Sequence, residues 1–280
     1  MLARLTEAEF DQWAGWAYGL ATTPEHASYP SYRDGIKTRE DFIQRARRGL
    51  EDEEILLFRH EGEVCGWIQW YAIPEEHYAQ TVSFLVKNHA EEAAQAFAAH
   101  AAQVCPGFTL DIGLDGANAQ AVAALEKAGF ALMDSSVNHT LMFARYEPSC
   151  VTEHVRLMQT QDEAAFRRVH DEPDMYWNAD RMLADAGRWR IYLYWQEGRA
   201  TGALCCMLDD GWPEIFAIEF ENDVFRPEIY RGLMAACLRD AKAAGCPYMT
   251  YFEEEEQALP ILAALGFDAV GRYAAYRKEL

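Results

Sequence analysis

Positive charge is scarce in this chain: 25 lysines and arginines stand against 45 acidic residues among 280, a formal charge of −20. A surface so acidic repels a phosphate backbone, which excludes nucleic acid and anionic membranes as expected partners and favours a cationic acceptor such as an amine. CxxC spacing is missing as well. The seven cysteines, Cys65, Cys105, Cys150, Cys205, Cys206, Cys237 and Cys246, are odd in number and sit mostly inside apolar runs. They read as buried free thiols in a reducing compartment. No apolar run approaches the roughly 20 residues that a membrane span needs. The opening MLARLTEAEFDQW carries acids where a signal peptide would be apolar, so the expected location is the cytosol. GxSxG and Walker loops are absent. GLDGAN, 113–118, holds only a lone GxxG, more simply a turn. HEGEVC, His60–Cys65, lies on a hairpin turn with no partner at a recognised ligand spacing, so no metal is expected.

What is present is an ordered alternation of strand and helix signals. Half of the residues are hydrophobic, enough for one or two buried cores. Residues 2–5 predict a short strand, and 6–20 and 38–50 have helical spacing, with Phe42, Ala46 and Leu50 on one face of the second. TTPEHASYPSYRDGIK between them is a loop. ILLFRHEGEVCGWIQWYAI predicts two strands about a turn at Glu61-Gly62, and TVSFLV a third. A helix over 89–104, the strand FTLDIGL, the helix ANAQAVAALEKAG and two closing strands, FALMD and HTLMFAR, follow.

The second half repeats this order. LFRHEGEVCG, Leu57–Gly66, matches LYWQEGRATG, Leu193–Gly202, and ALEKAGF, Ala124–Phe130, matches ILAALGF, Ile261–Phe267. Gly62 and Phe130 stand 68 positions apart, Gly198 and Phe267 69, and two anchors that hold their spacing this closely mark an internal repeat. With YEPSCVT, Tyr146–Thr152, as linker, the expected domains are 1–149 and 150–280. Each is an α/β (α+β) domain with a mixed, mostly antiparallel sheet and helices on both faces.

The two EGxxxG hairpins, NAQAVAALEKAGF at Asn118–Phe130, EQALPILAALGF at Glu256–Phe267, and YRG at Tyr230–Gly232 ahead of a helix ending in AKAAG resemble the GNAT superfamily of acyl-CoA N-acyltransferases, in its tandem two-copy form. The resemblance implies a V-shaped gap between the fourth and fifth strands of each half, entered by the pantetheine of acetyl-CoA. It also implies direct transfer of acetyl to an amine of a small molecule. Such transfer asks for a base on the ammonium, dipoles at the thioester oxyanion and an acid for the leaving thiolate.

Carried over residue by residue, the cofactor loop of that family (Arg or Gln, two residues, Gly, one residue, Gly or Ala) matches at Arg231 and Ala236, with Met234 in place of the first glycine. Starting from Arg226 puts Ile229 and Arg231 in the glycine places. In the first half, LVKNHAEEAAQ has no version of the loop. The candidate cofactor residues are therefore Arg226, Tyr230, Arg231, Gly232 and Ala236, with Asn118 from the late helix of the first half. Leu125 and Leu262 stand where the family places its thiolate-protonating Tyr, so that water or another Tyr, such as Tyr251, would have to substitute. Alternation along EIFAIEFE puts Ala217, Glu219 and Glu221 on one face and Phe216, Ile218 and Phe220 on the other. Glu219 and Glu221 are the candidate bases. Tyr32, Trp67, Trp70, Tyr176 and Trp177, with Tyr29 and Tyr71, fall where an acceptor pocket would be lined, and aromatic faces suit a cationic amine. Two functions stay open: an acetyltransferase acting through its second half, or a degenerate pair serving as a binding or scaffolding module.

Overall fold

A computed structural model describes residues 1–30, 36–52, 54–148, 153–170, 177–208 and 213–280. Tyr32 and Tyr176 lie outside the described residues, as does the expected boundary at 149/150. The chain forms two compact units, Met1–Asn138 with Val270–Leu280, and His139–Ala269. It passes from one unit to the other inside two long strands, β6 (Ala131–Met142) and the last strand, β12 (Asp268–Glu279). FALMD and HTLMFAR are thus parts of one strand. The Ser135-Ser136-Val137 stretch between them contains no turn-forming Gly or Pro and stays extended.

The first unit contains β1 (Leu2–Arg4), α1 (Glu7–Ala21), α2 (Arg39–Asp52), β2 (Glu54–His60), β3 (Glu63–Ile73), β4 (Tyr78–Val86), α3 (Ala90–Val104), β5 (Thr109–Asp115) and α4 (Ala119–Lys127). Its strand order is β1-β2-β3-β4-β5-β12, antiparallel except for β4 and β5. Both early helices begin on a reciprocal cap. Thr6 N–H donates to Glu9 Oε2 at 3.4 Å, and Thr38 N–H donates to Asp41 Oδ2 at 2.7 Å while Asp41 N–H returns a bond to Thr38 Oγ1 at 3.3 Å. The β2–β3 turn has φ of 49° at Glu61 and 90° at Gly62. Its repeat has 49° at Glu197 and 79° at Gly198. Two consecutive positive φ values are what a tight two-residue hairpin needs, and glycine supplies the second without strain.

The second unit contains β7 (Val155–Leu157), α5 (Glu163–Val169), α6 (Ala179–Ala184), β8 (Arg190–Gln196), β9 (Arg199–Met207), β10 (Glu214–Phe220), α7 (Pro227–Ala243), β11 (Tyr248–Glu253) and α8 (Leu259–Leu265). Its order is β6-β11-β10-β9-β8-β7. Successive residues alternate between two cores. Tyr192, Leu204 and Cys206 pack with Leu233 and Cys237 of α7, and Leu193, Ala203 and Cys205 pack with Phe166 of α5 and Met182 of α6. Helix α7 presses close to β9 because Gly202 has no side chain; a Cβ there would meet Ile229 Cγ2 at 2.5 Å.

No helix among the described residues is long and apolar enough to cross a membrane. Cys65, Cys105, Cys205, Cys206 and Cys237 are buried free thiols, and Cys246 is partly buried. Burial, followed by the charge of Glu219, pushes the Cys205 thiol well up, as expected of an inert core cysteine.

Candidate active site

In both units the parallel fourth and fifth strands pair briefly and then part. β4 and β5 are in register at Tyr78↔Thr109, Ala79↔Leu110 and Gln80↔Asp111, and β10 and β11 at Glu214↔Thr250 and Ile215↔Tyr251. Past those positions no strand pairing joins them among the described residues.

In the first unit, chain from the α1–α2 connection bridges the parted strands. Phe84 N–H of β4 donates to Ser28 Oγ at 2.6 Å, and Asp115 N–H at the end of β5 donates to the Ala27 carbonyl at 3.2 Å. Ala27 is 0 % exposed. Deeper in, Tyr29 stacks on Tyr273 at 5.0 Å, and the Tyr273 hydroxyl lies so near Gly113 that a Cβ there would be 2.3 Å from it. The Phe84 and Asp115 N–H groups on the two parted strands are thereby already satisfied. Asn118, expected at a cofactor, caps α4 instead: Oδ1 accepts from Ala121 N–H at 3.2 Å and Nδ2 donates to the Ala27 carbonyl at 3.3 Å. The expected acceptor residues Trp67 and Trp70 are core. Trp67 is 0 % exposed between Phe10 and Phe42, and Trp70 packs edge-on to Phe97 and donates its indole N–H to Glu54 at 2.8 Å.

In the second unit the register of β10 against β9 shifts between Ile215 and Ala217. Phe216 therefore packs with Trp177 and Trp189 on the α5 face, whereas Ile218 and Phe220 belong to the α7 core. Strict alternation placed all three on one face; a β-bulge adds a residue and reverses the sequence of faces beyond it. Glu219 then points to the α5 side, where Oε2 meets His170 Nδ1 at 2.5 Å. The other ring nitrogen, Nε2, lies 2.8 Å from the Trp177 carbonyl. A carbonyl only accepts, so Nε2 carries the proton of that bond and Nδ1 faces the Glu219 carboxylate. This pair is deeply set, His170 at 0 % and Glu219 at 16 % side-chain exposure. The second Glu219 oxygen, Oε1, is buried and accepts no hydrogen bond. Nothing in the sequence pointed to His170, which stands 49 positions from its partner.

Glu221, the other candidate base, is placed differently. It sits in a single 3-10 turn after β10 and is paired with Arg168, at 3.6 Å, and with Arg199. Its carboxylate is thus engaged by two guanidinium groups of its own chain.

On the α7 face, Tyr230 and Tyr251 are buried at 1 % and 5 % exposure. The Tyr251 hydroxyl donates to Glu253 Oε2 at 2.8 Å. Burial first, then Tyr230 and Glu253, pushes the Tyr251 phenol well above its ordinary range; burial and then Glu253 do the same for Tyr230. Both stay protonated at neutral pH. Tyr230, expected at a cofactor phosphate, instead packs against Phe225 at 5.4 Å.

Arg231, Gly232, Met234 and Ala236 do not form a loop. Helix α7 starts at Pro227, so all four lie in its interior, and Gly232, Met234 and Ala236 are buried with their N–H groups committed to the helix. The anion-facing end is one turn earlier. Arg226 is the N-cap, exposed like Arg231, and no side chain caps the helix. Pro227 has no N–H and Tyr230 N–H is bonded to the Arg226 carbonyl, which leaves the Glu228 and Ile229 N–H groups, with the Glu228 carboxylate beside them.

No protein-family model and no curated protein matches the sequence. Solved structures match it along its length. A GCN5-related N-acetyltransferase from Sphaerobacter thermophilus superposes with a TM-score of 0.67 at 11% identity, covering 100% of this chain and 95% of that one. A tandem GNAT protein from the clavulanic acid biosynthesis pathway gives 0.59 at 14%, covering 100% and 98%. A GNAT-family acetyltransferase from Colwellia psychrerythraea gives 0.52 at 11%, covering 100% of both chains. At such identities the likeness is one of fold.

Proposed function

The chain carries the GNAT fold in tandem, and on that premise we propose that it is an N-acyltransferase of a small amine whose working half is His139–Ala269. The observation that carries this reading is Glu219, whose Oε2 is held by His170 and whose buried Oε1 accepts no hydrogen bond, on the part of β10 beyond its pairing with β11. A carboxylate fixed on one oxygen and open on the other suits a general base.

Acetyl-CoA supplies an acyl thioester. Glu219 Oε1 takes a proton from the acceptor ammonium, directly or through a water. With acetyl-CoA bound, the freed amine nitrogen would form the new C–N bond as the C–S bond breaks. The second proton shed by that nitrogen would pass by way of the Tyr251 hydroxyl, which burial keeps protonated, to the leaving thiolate, so that Tyr251 ends as it began. Trp177 supports a cationic acceptor, since the Arg188 guanidinium already rests 5.2 Å from its ring centre. Arg226 and Arg231 supply positive charge for the diphosphate. The first unit serves as structure, its strand gap being bridged by Ala27 and Ser28.

A second reading has its own support. Pro227 and Glu228 leave a thin donor set at the head of α7, which favours a binding module that has lost transfer. Thermal unfolding with millimolar acetyl-CoA separates the two. A ligand at 100 times its Kd adds about 2.7 kcal/mol, so the enzyme reading expects a clear rise in Tm, and an unchanged Tm leaves the binding module. Glu219→Gln is expected to keep that rise while lowering thiol release with an amine panel by roughly 10²–10⁴-fold.

A further inference from the structure

Far along the sequence from the proposed base, the first unit gathers three side chains that could share one ligand. His60 closes β2, His89 is the N-cap of α3, and Glu92 lies in the first turn of that helix. His60 Nδ1 is 2.7 Å from Glu92 Oε2 and His89 Nδ1 is 3.2 Å from Oε1. The two imidazoles stack with centroids 3.7 Å apart and planes 11° apart. One ligand atom from each residue falls within a set spanning no more than 4.8 Å. His89 also holds a left-handed backbone, φ 60°, a conformation that costs a non-glycine residue energy and that aims its ring at the stack.

We propose that His60, His89 and Glu92 form a binding site for a divalent transition-metal ion of the zinc class. Two imidazole nitrogens and a carboxylate oxygen are a recognised zinc donor set, and three protein ligands leave a position for water. Hard cations such as Mg2+ and Ca2+ want oxygen donors and would be poorly served by two imidazoles. The sequence hid the site because its ligands come from the end of β2 and from a helix that begins beyond the next two strands.

Loading the ion is a proton exchange. In the metal-free protein each Nδ1 faces a carboxylate oxygen, and a ring that donates there carries its proton on Nδ1. To ligate, the ring turns its Nδ1 lone pair to the ion and holds its remaining proton on Nε2; an imidazolium releases one proton to solvent. The Glu92 oxygens pass from accepting hydrogen bonds to ligating. Side-chain exposures of 30% for His60, 39% for His89 and 54% for Glu92 leave room for the ion and its water to enter. Once bound, the ion ties the β2–β3 hairpin to the head of α3. The inference is independent of the transfer reaction, since none of its residues belongs to the second unit.

The test is zinc uptake by untagged full-length protein, measured by equilibrium dialysis and elemental analysis, with Co2+ absorption as a report on ligand geometry. His60→Gln and His89→Asn each remove one imidazole. Asn tolerates a left-handed N-cap, so the second variant keeps the local fold. The expected result is a single tightly held equivalent in the wild type, a rise in Tm with Zn2+, and loss of both in each variant. No uptake by the wild type, or uptake and Tm rise that persist in either variant, overturns the proposal.

Discussion

Phe84 and Ser28 are joined by a hydrogen bond of 2.6 Å, from the Phe84 N–H to the Ser28 hydroxyl oxygen, at a level of β4 where β5 has already turned away. A strand that loses its neighbour exposes unpaired backbone groups, and buried ones must find partners. Here a serine side chain and the Ala27 carbonyl fill that need from within the chain. The same fold thus ends with a closed gap in one unit, and the proposed chemistry is assigned to the other.

Ser28→Ala leaves the buried Phe84 N–H without an acceptor. The expected cost is about 1–3 kcal/mol of unfolding free energy, read as a lower denaturant midpoint with unchanged m. The acetyl-CoA response of the second unit should not move.

Met234→Gly tests whether spacing alone makes a cofactor loop. Met234 is 0 % exposed in the interior of α7, so the substitution opens a cavity and adds backbone freedom. A loss of about 3–5 kcal/mol is expected, with no gain in acetyl-CoA binding by calorimetry.

Asp162 gives the second unit a defined acid sensitivity. Its carboxylate accepts from Arg156 Nη2 and from Gln159 N–H, each at 2.9 Å, and these partners, Arg156 first, hold its pKa below the ordinary value. A depressed folded pKa means stability that is complete above the unfolded value of about 3.9 and is lost as pH falls from there through the folded value. Asp162→Asn should flatten that acid limb and cost about 1–2 kcal/mol at neutral pH. Chemical denaturation of both proteins from pH 7 downward checks the sign and the window.

Ending the chain after Ala269 removes the strand that faces β5. Seven registered positions, from Tyr273↔Asp115 to Glu279↔Thr109, disappear with it. So do the paired Arg277–Asp111 bonds of 2.7 Å each and the core side chains Ala274 and Tyr276. The first unit should lose its cooperative unfolding and become open to proteolysis, while hydrogen exchange in α7 stays slow.

Several of these relationships were open to a reader of the sequence and several were not, for physical reasons. The hairpins at Glu61-Gly62 and Glu197-Gly198 were legible because a tight turn demands positive φ and glycine advertises it. The internal repeat was legible because two such anchors kept their spacing, and the GNAT fold through the resemblance carried by the hairpins and by Asn118–Phe130 and Glu256–Phe267. The bulge at Ile215–Ala217 was silent: an inserted residue leaves no mark in composition, yet it moved Phe216 to the other face. The cofactor spacing at Arg231, Met234 and Ala236 misled because Pro227 starts the helix a turn too early for those residues to be loop. His170 beside Glu219 and His89 beside His60 depend on tertiary approach, which local periodicity does not encode. The swap of closing strands was equally silent, since β6 and β12 carry no signal of the unit each will join.

That swap sets a clock on synthesis. The first unit is begun by residue 1 but includes Val270–Leu280, so it waits while His139–Ala269 is made. At roughly 5–20 residues per second this interval is on the order of ten seconds. Throughout it the nascent chain carries an unfinished sheet edge at β5, a surface that invites pairing with other chains. The unit made second is the one free to mature first, and a chaperone that shields the β5 edge would act on the older half of the molecule.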